Sequence, residues 1–95
     1  MIKGLHSIPI RIKFTEKELL AYYCHPIIRN ESHKVLIWDN VENIKILNMS
    51  SKLNNIVFLD KRKKQIFVLN WINSQITKIT QEYASNKHIP QEISP

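Results

Sequence analysis

Ninety-five residues, 43% of them hydrophobic and 23% charged, are the composition of one globular domain. A domain of this size buries about 60 to 65% of its unfolded surface, which supports one core and leaves little protein for an enclosed catalytic cleft. Fourteen lysines and arginines against eight acids give a net charge of +6, which favours acidic partners: nucleic acid, anionic lipid or an acidic protein face.

The first residues lack an apolar leader, since Met1, Ile2 and Lys3 are soon followed by Pro9, Arg11 and Lys13. A cytoplasmic protein is expected. The longest apolar runs, 35–38 and 56–59, are four residues long, against the ~20 needed to span a bilayer. Cys24 is the single cysteine, so an intrachain disulfide and a multi-cysteine zinc site are both excluded.

Ile8, Ile10, Ile12 and Phe14 alternate with Pro9, Arg11 and Lys13, the period of a half-buried strand with one basic face. Thr15, Glu16, Lys17 and Glu18 read either as a hairpin loop or as a capping box opening a helix over 19–25. Pro26 would end that helix after two turns, and Tyr22 and Tyr23 favour a strand, so the hairpin is expected. Residues 26–33 read as irregular, with Ile27 and Ile28 alternatively extending the preceding strand or forming a short one, and 35–38 as a short buried strand. Asp39 and Asn40 supply a turn. Val41, Ile44, Ile46 and Leu47 then suggest another strand, with a bulge near Glu42 and Asn43.

After a polar loop over 48–55, the apolar runs 56–59 and 65–69 flank Asp60, Lys61, Arg62, Lys63 and Lys64, which predicts a hairpin with a basic tip. Beyond Asn70, a suitable N-cap, Ile72, Ile76, Ile79 and Tyr83 recur at helical spacing, predicting a helix over 71–85 that Asn86 ends in the left-handed conformation. Residues 1–86 therefore read as one domain, and 87–95, with Pro90 and Pro95, as a flexible tail. The expected fold is mainly β: a curled antiparallel sheet or small barrel of six to seven strands, capped by the C-terminal helix. Trp38, Ile44, Phe58, Phe67, Ile72, Ile76 and Ile79 are its expected core.

Chemistry-bearing residues are sparse. Cys24 and His25 are neighbours, but adjacent residues on a strand point to opposite faces, so a structural cysteine is expected instead of a thiol–imidazole pair. His6, His25, His33 and His88 lack metal-ligand spacing, and Glu16 and Glu18 in a turn would be solvated. Gly4 is the one glycine, which rules out a glycine-rich phosphate loop, and no serine nucleophile motif occurs. The reading is a non-enzymatic module with no catalytic residues, cofactor, metal or small-molecule substrate. Its candidate binding residues are Lys61, Arg62, Lys63 and Lys64 at the hairpin tip, with Arg11 and Lys13 on the first strand.

The order of elements, a hairpin, then Ile37, Trp38, Asp39, Asn40, Val41, Glu42, Asn43, Ile44, Lys45 and Ile46, then a second hairpin and a terminal helix, resembles the small bacterial pleckstrin-homology-like domains. Members of that group often carry an I-x-W-x-x-I-x-x-I passage between central strands and end in a helix that plugs one opening of the barrel. The likeness covers roughly residues 8–86. It implies an adaptor acting on a protein or an anionic membrane surface, with bacterial immunity or stress protection at the inner face of the membrane as one specific role. Such folds host many functions. The alternative is a basic nucleic-acid-binding domain using the same lysines and arginines against phosphates. A helix face or an unpaired strand edge would support a homodimer.

Overall fold

The computed structural model describes residues 9–24, 31–50 and 52–94, and it is mainly β. Six antiparallel-paired strands, β1 (Arg11–Phe14), β2 (Glu18–Cys24), β3 (Glu31–Ile37), β4 (Asn43–Asn48), β5 (Leu53–Leu59) and β6 (Gln65–Asn73), precede the helix α1 (Ser74–Asn86). A seventh strand, β7 (Gln91–Ser94), follows it. They form two sheets, ordered β1-β2-β3 and β6-β5-β4-β7, which among the described residues do not close into a barrel. The mainly β class, the strand number and the C-terminal helix are those expected.

The hairpin after Phe14 is confirmed: Thr15 donates its backbone N–H to Glu18 O at 2.9 Å, and the Thr15 hydroxyl accepts from Glu18 N. Its hydroxyl thus holds a turn instead of capping a helix. Residues 31–33 belong to β3, not to an irregular segment, while residues 25–30, Ile8, Ser51 and Pro95 lie outside the described residues. Of the run at 35–38, only Leu36 and Trp38 are buried, and Trp38 begins a short 3-10 turn, Trp38–Asn40. The expected bulge near Glu42 is not where the ladder breaks. Register shifts fall instead between β5 and β6, at Asn54/Ile56 and Phe58/Leu59.

The first of those shifts moves the start of the helix. Ile72 pairs with Asn54 as a strand residue, and Trp71 takes a left-handed φ of 57° while its N–H donates to Asn55 Oδ1 at 2.9 Å. β6 therefore runs three residues past Asn70, and Asn73, not Asn70, is the N-cap: its Oδ1 accepts from Ile76 N at 2.8 Å. Asn73→Ala should cost about 1 kcal/mol in a urea titration by orphaning that donor. Unchanged stability would show the first turn to be held by packing alone.

The shifted start also rotates the buried face of the helix. Thr77, Thr80 and Ala84 are buried, Ile76 and Tyr83 pack partly against the core, and Ile79 lies outside the core cluster. Both threonine hydroxyls are satisfied locally, Thr77 donating to Asn73 O and Thr80 to Ile76 O, and Thr77 Oγ1 also accepts from Asn54 Nδ2 of β5. Trp38, Ile44, Phe58, Phe67 and Ile72 are core residues as expected. Rings from every layer meet in one chain of contacts, Phe14 on Tyr83, Tyr83 on Trp38, Trp38 edge-on to Phe58, and Phe58 edge-on to Phe67.

The helix includes Asn86, and His88, at φ 58°, is the left-handed residue after it. His88 N donates to Ser85 O and Ile89 N to Ala84 O, a Schellman arrangement that buries Ile89 beside Ala84. The chain is thereby turned back along the sheet. Residues 91–94 are consequently not a tail: β7 pairs parallel to β4, from Ile44↔Gln91 to Leu47↔Ser94.

Candidate binding surface

The basic tip is built by Asp60. Its Oδ1 accepts backbone N–H groups of Arg62 at 2.9 Å and Lys64 at 3.0 Å, while Lys63 turns the chain with φ 61°. The Lys64 N–H, then the Arg62 N–H and their positive charges, hold the Asp60 carboxyl below its ordinary pKa. A depressed carboxyl pKa contributes stability at all pH above the ordinary value and loses it only as pH falls through the lowered one. Asp60 therefore stays an ionised acceptor for these two N–H groups throughout the neutral range. Lys61, Arg62, Lys63 and Lys64 are all exposed, as expected for residues that a partner can reach.

Arg11 and Lys13 are exposed on the outer face of the β1-β2-β3 sheet. Arg11 is engaged there: its guanidinium lies 4.2 Å from the Tyr22 ring centroid and 3.3 Å from Glu31 Oε1, the one ion pair among the described residues. Both partners of that pair are well exposed, so its contribution is small. Cross-strand register places Lys13, Leu20 and Val35 in one row on this face and Arg11, Tyr22 and His33 in the next.

Val35 links this face to the tip. With Ile37 it lines a groove of ≈ 530 Å³ whose opposite residues, Ile66, Lys61 and Arg62, come from the β5–β6 hairpin. Asp39 and Asp60 also line it, but Asp60 is occupied by the backbone of its own turn. Val35, Ile37 and Ile66 are 42%, 40% and 37% exposed, so an apolar strip lies open with Lys13, across Leu20, on one side and Lys61 and Arg62 of the tip on the other. Lys13 stands two strand spacings, about 10 Å, from β3. The two groups of candidate residues thus flank one surface.

The groove follows an unpaired strand edge. Trp38 N–H donates to Lys17 O at 3.0 Å, one step beyond the Glu18↔Ile37 pair, and this sets the phase of the β2–β3 ladder. In an antiparallel ladder, paired and outward-facing residues alternate, so Ser32, Lys34 and Leu36 address β2 while His33, Val35 and Ile37 aim their N–H and C=O groups away from it. The Thr15 to Glu18 bond supports the same phase, because it turns Glu18, Leu20 and Tyr22 toward β1. Among the described residues no strand pairs with that second edge of β3. Val35, Ile37 and Ile66 are the surface residues that sequence reasoning missed. The sequence carries no signal for Val35 and Ile37, because the run 35–38 is uniformly apolar.

Elsewhere, Cys24 is half-buried at the end of β2, and His25 and His6 lie outside the described residues. Glu16 is exposed in the turn and Glu18 half-buried in β2. Among the described residues no group of three or more His, Cys, Asp or Glu side chains is placed to hold a metal ion, and no helix is long and apolar enough to cross a membrane. Burial raises the Tyr23 pKa, and Lys34 Nζ lies 5.5 Å from the centroid of its ring. No protein-family model matches the chain, and no curated protein matches it significantly.

Proposed function

We propose that this chain is a non-enzymatic binding module whose working surface is the groove between β3 and the β5–β6 hairpin, directed at an acidic partner. The observation that carries this reading is the apolar strip of Val35, Ile37 and Ile66 lying open beside exposed Lys61 and Arg62, with exposed Lys63 and Lys64 next in the same tip. Apolar area supplies affinity and the cations supply attraction and orientation, the division of labour common to protein interfaces. The order of hairpin, Trp38 turn, hairpin and closing helix supports a pleckstrin-homology-like assignment, and with it an adaptor role at a protein or anionic membrane surface.

The test is charge reversal at the tip. The triple variant Lys61→Glu, Arg62→Glu, Lys63→Glu is compared with wild type for binding to polyglutamate, to phosphatidylserine-containing vesicles and to a mixed-sequence oligonucleotide, each at low and high salt. Folding should change little, because all three side chains are exposed. Wild-type binding to polyglutamate or vesicles should be salt-sensitive and fall at least tenfold in the variant. Binding to the oligonucleotide alone would instead support the nucleic-acid reading. Equal binding by variant and wild type would reduce the tip to a solubilising loop.

A further inference from the structure

The outward edge of β3 presents a particular chemistry. His33, Val35 and Ile37 each offer a backbone donor and acceptor away from β2, in an extended strand of seven residues whose members are all exposed except Leu36. Water can satisfy these exposed groups one by one, but another extended backbone matches the whole row at the spacing of a β-ladder. Native edges are blunted by a bulge, a proline, charged side chains or a covering loop. β3 contains no proline and shows no register shift against β2, and its charged residues, Glu31 at the start of the strand and Lys34, which addresses β2, are not among the outward-bonding His33, Val35 and Ile37. What borders it is a groove with exposed Val35, Ile37 and Ile66, with Lys61 and Arg62 at the hairpin tip, and with two carboxylates, Asp39 and the turn-bound Asp60. The excess of positive charge comes from Lys63 and Lys64 in the same tip.

We propose that β3 is a docking edge for an extended acidic segment of a partner protein, which adds as a strand beside it. Main-chain hydrogen bonds to His33, Val35 and Ile37 hold the segment in register. Its alternate apolar side chains lie against Val35, Ile37 and Ile66, and its carboxylates face Lys61, Arg62 and the neighbouring tip lysines. Charge selects this occupant over a second copy of the chain, since each copy carries +6. The proposal rests on the binding-module reading and adds the partner's backbone conformation and charge.

The probe is a heptapeptide alternating glutamate and valine, blocked at both ends and fluorescently labelled. It should bind the full chain, protect the His33, Val35 and Ile37 amides from hydrogen exchange, and bind at least tenfold more tightly than its lysine–valine counterpart. N-methylation of alternate peptide amides, made in both phases, should weaken binding at least tenfold in the phase that faces β3. Val35→Pro removes an N–H that points away from β2, so the fold should survive as prolines on open edges do, while peptide affinity falls at least tenfold. Val35→Ala, which keeps the N–H, should lose less. If Val35→Pro does not fold, the exchange pattern and the methylated peptides decide on wild-type protein alone.

Tolerance of methylation in both phases, or binding without protection of those three amides, overturns the edge. So does a dimer of the free chain that Val35→Pro dissolves. Failure of the peptide with retained vesicle or polyglutamate binding would sink strand addition and leave the binding module standing. Failure of every anionic probe would sink both.

Discussion

Trp38→Ala is expected to destabilise the protein by about 3 to 5 kcal/mol, the largest effect of any single substitution here. Trp38 is 1% exposed and sits in the 3-10 turn that carries the chain from the β1-β2-β3 sheet to the other. Its ring stacks on Tyr83 of α1 with centroids 6.0 Å apart and meets Phe58 of β5 edge-on at 6.1 Å. Its Nε1–H donates to Thr15 O at 3.2 Å, back in the first hairpin. Alanine would leave a cavity where both sheets and the helix meet, and strip that carbonyl of its indole donor. Urea denaturation followed by circular dichroism measures the loss. A cost below about 1 kcal/mol would mean that the layers hold together without the ring.

Much of this core was legible because its signals are local. Ile12 and Phe14 alternate with Arg11 and Lys13 at a strict period of two, and one face is half-buried and the other exposed. The hairpin around Asp60 was equally plain, two apolar runs joined by residues that only a turn would hold. The start of the helix was not. Asn70 and Asn73 are both competent caps, and Ile72 fits a strand and a helical stripe equally well. What decides between them is the shift of β6 against β5 at Trp71, a non-local event.

The same distinction separates the two halves of the candidate surface. The basic tip is written in consecutive residues, and its exposure follows from the turn that Asp60 builds. The open edge depends on which strand lies beside β3 in space. In an apolar run such as 35–38, side-chain pattern says nothing about whether a neighbour is present. Exposed Val35 and Ile37 read as core until the sheet order shows β3 at the rim.

The second large effect concerns the C-terminal segment, where two prolines and polar residues suggested a flexible tail. Ending the chain at Asn86 should cost roughly 2 to 4 kcal/mol. Ile89 is 9% exposed, and burying a side chain of its size contributes about 1.5 to 3 kcal/mol. Its N–H also closes the helix on Ala84 O, and Gln91 Nε2 donates to Gln81 O at 3.1 Å and to Ser85 Oγ at 3.0 Å. Each such bond adds about 0.5 to 1.5 kcal/mol net, partly offset by the backbone entropy that the ordered segment gives up. Removing β7 would also turn β4 into an unpaired edge carrying Ile44 and Ile46, so the truncated protein should aggregate at concentrations where the full chain stays monodisperse. The point variant Ile89→Ala separates the contributions, because it keeps the strand while emptying the pocket beside Ala84. It should account for the greater part of the loss. A truncated chain with an unchanged denaturation midpoint would show that the parallel pairing of β7 with β4 adds nothing to the folded state.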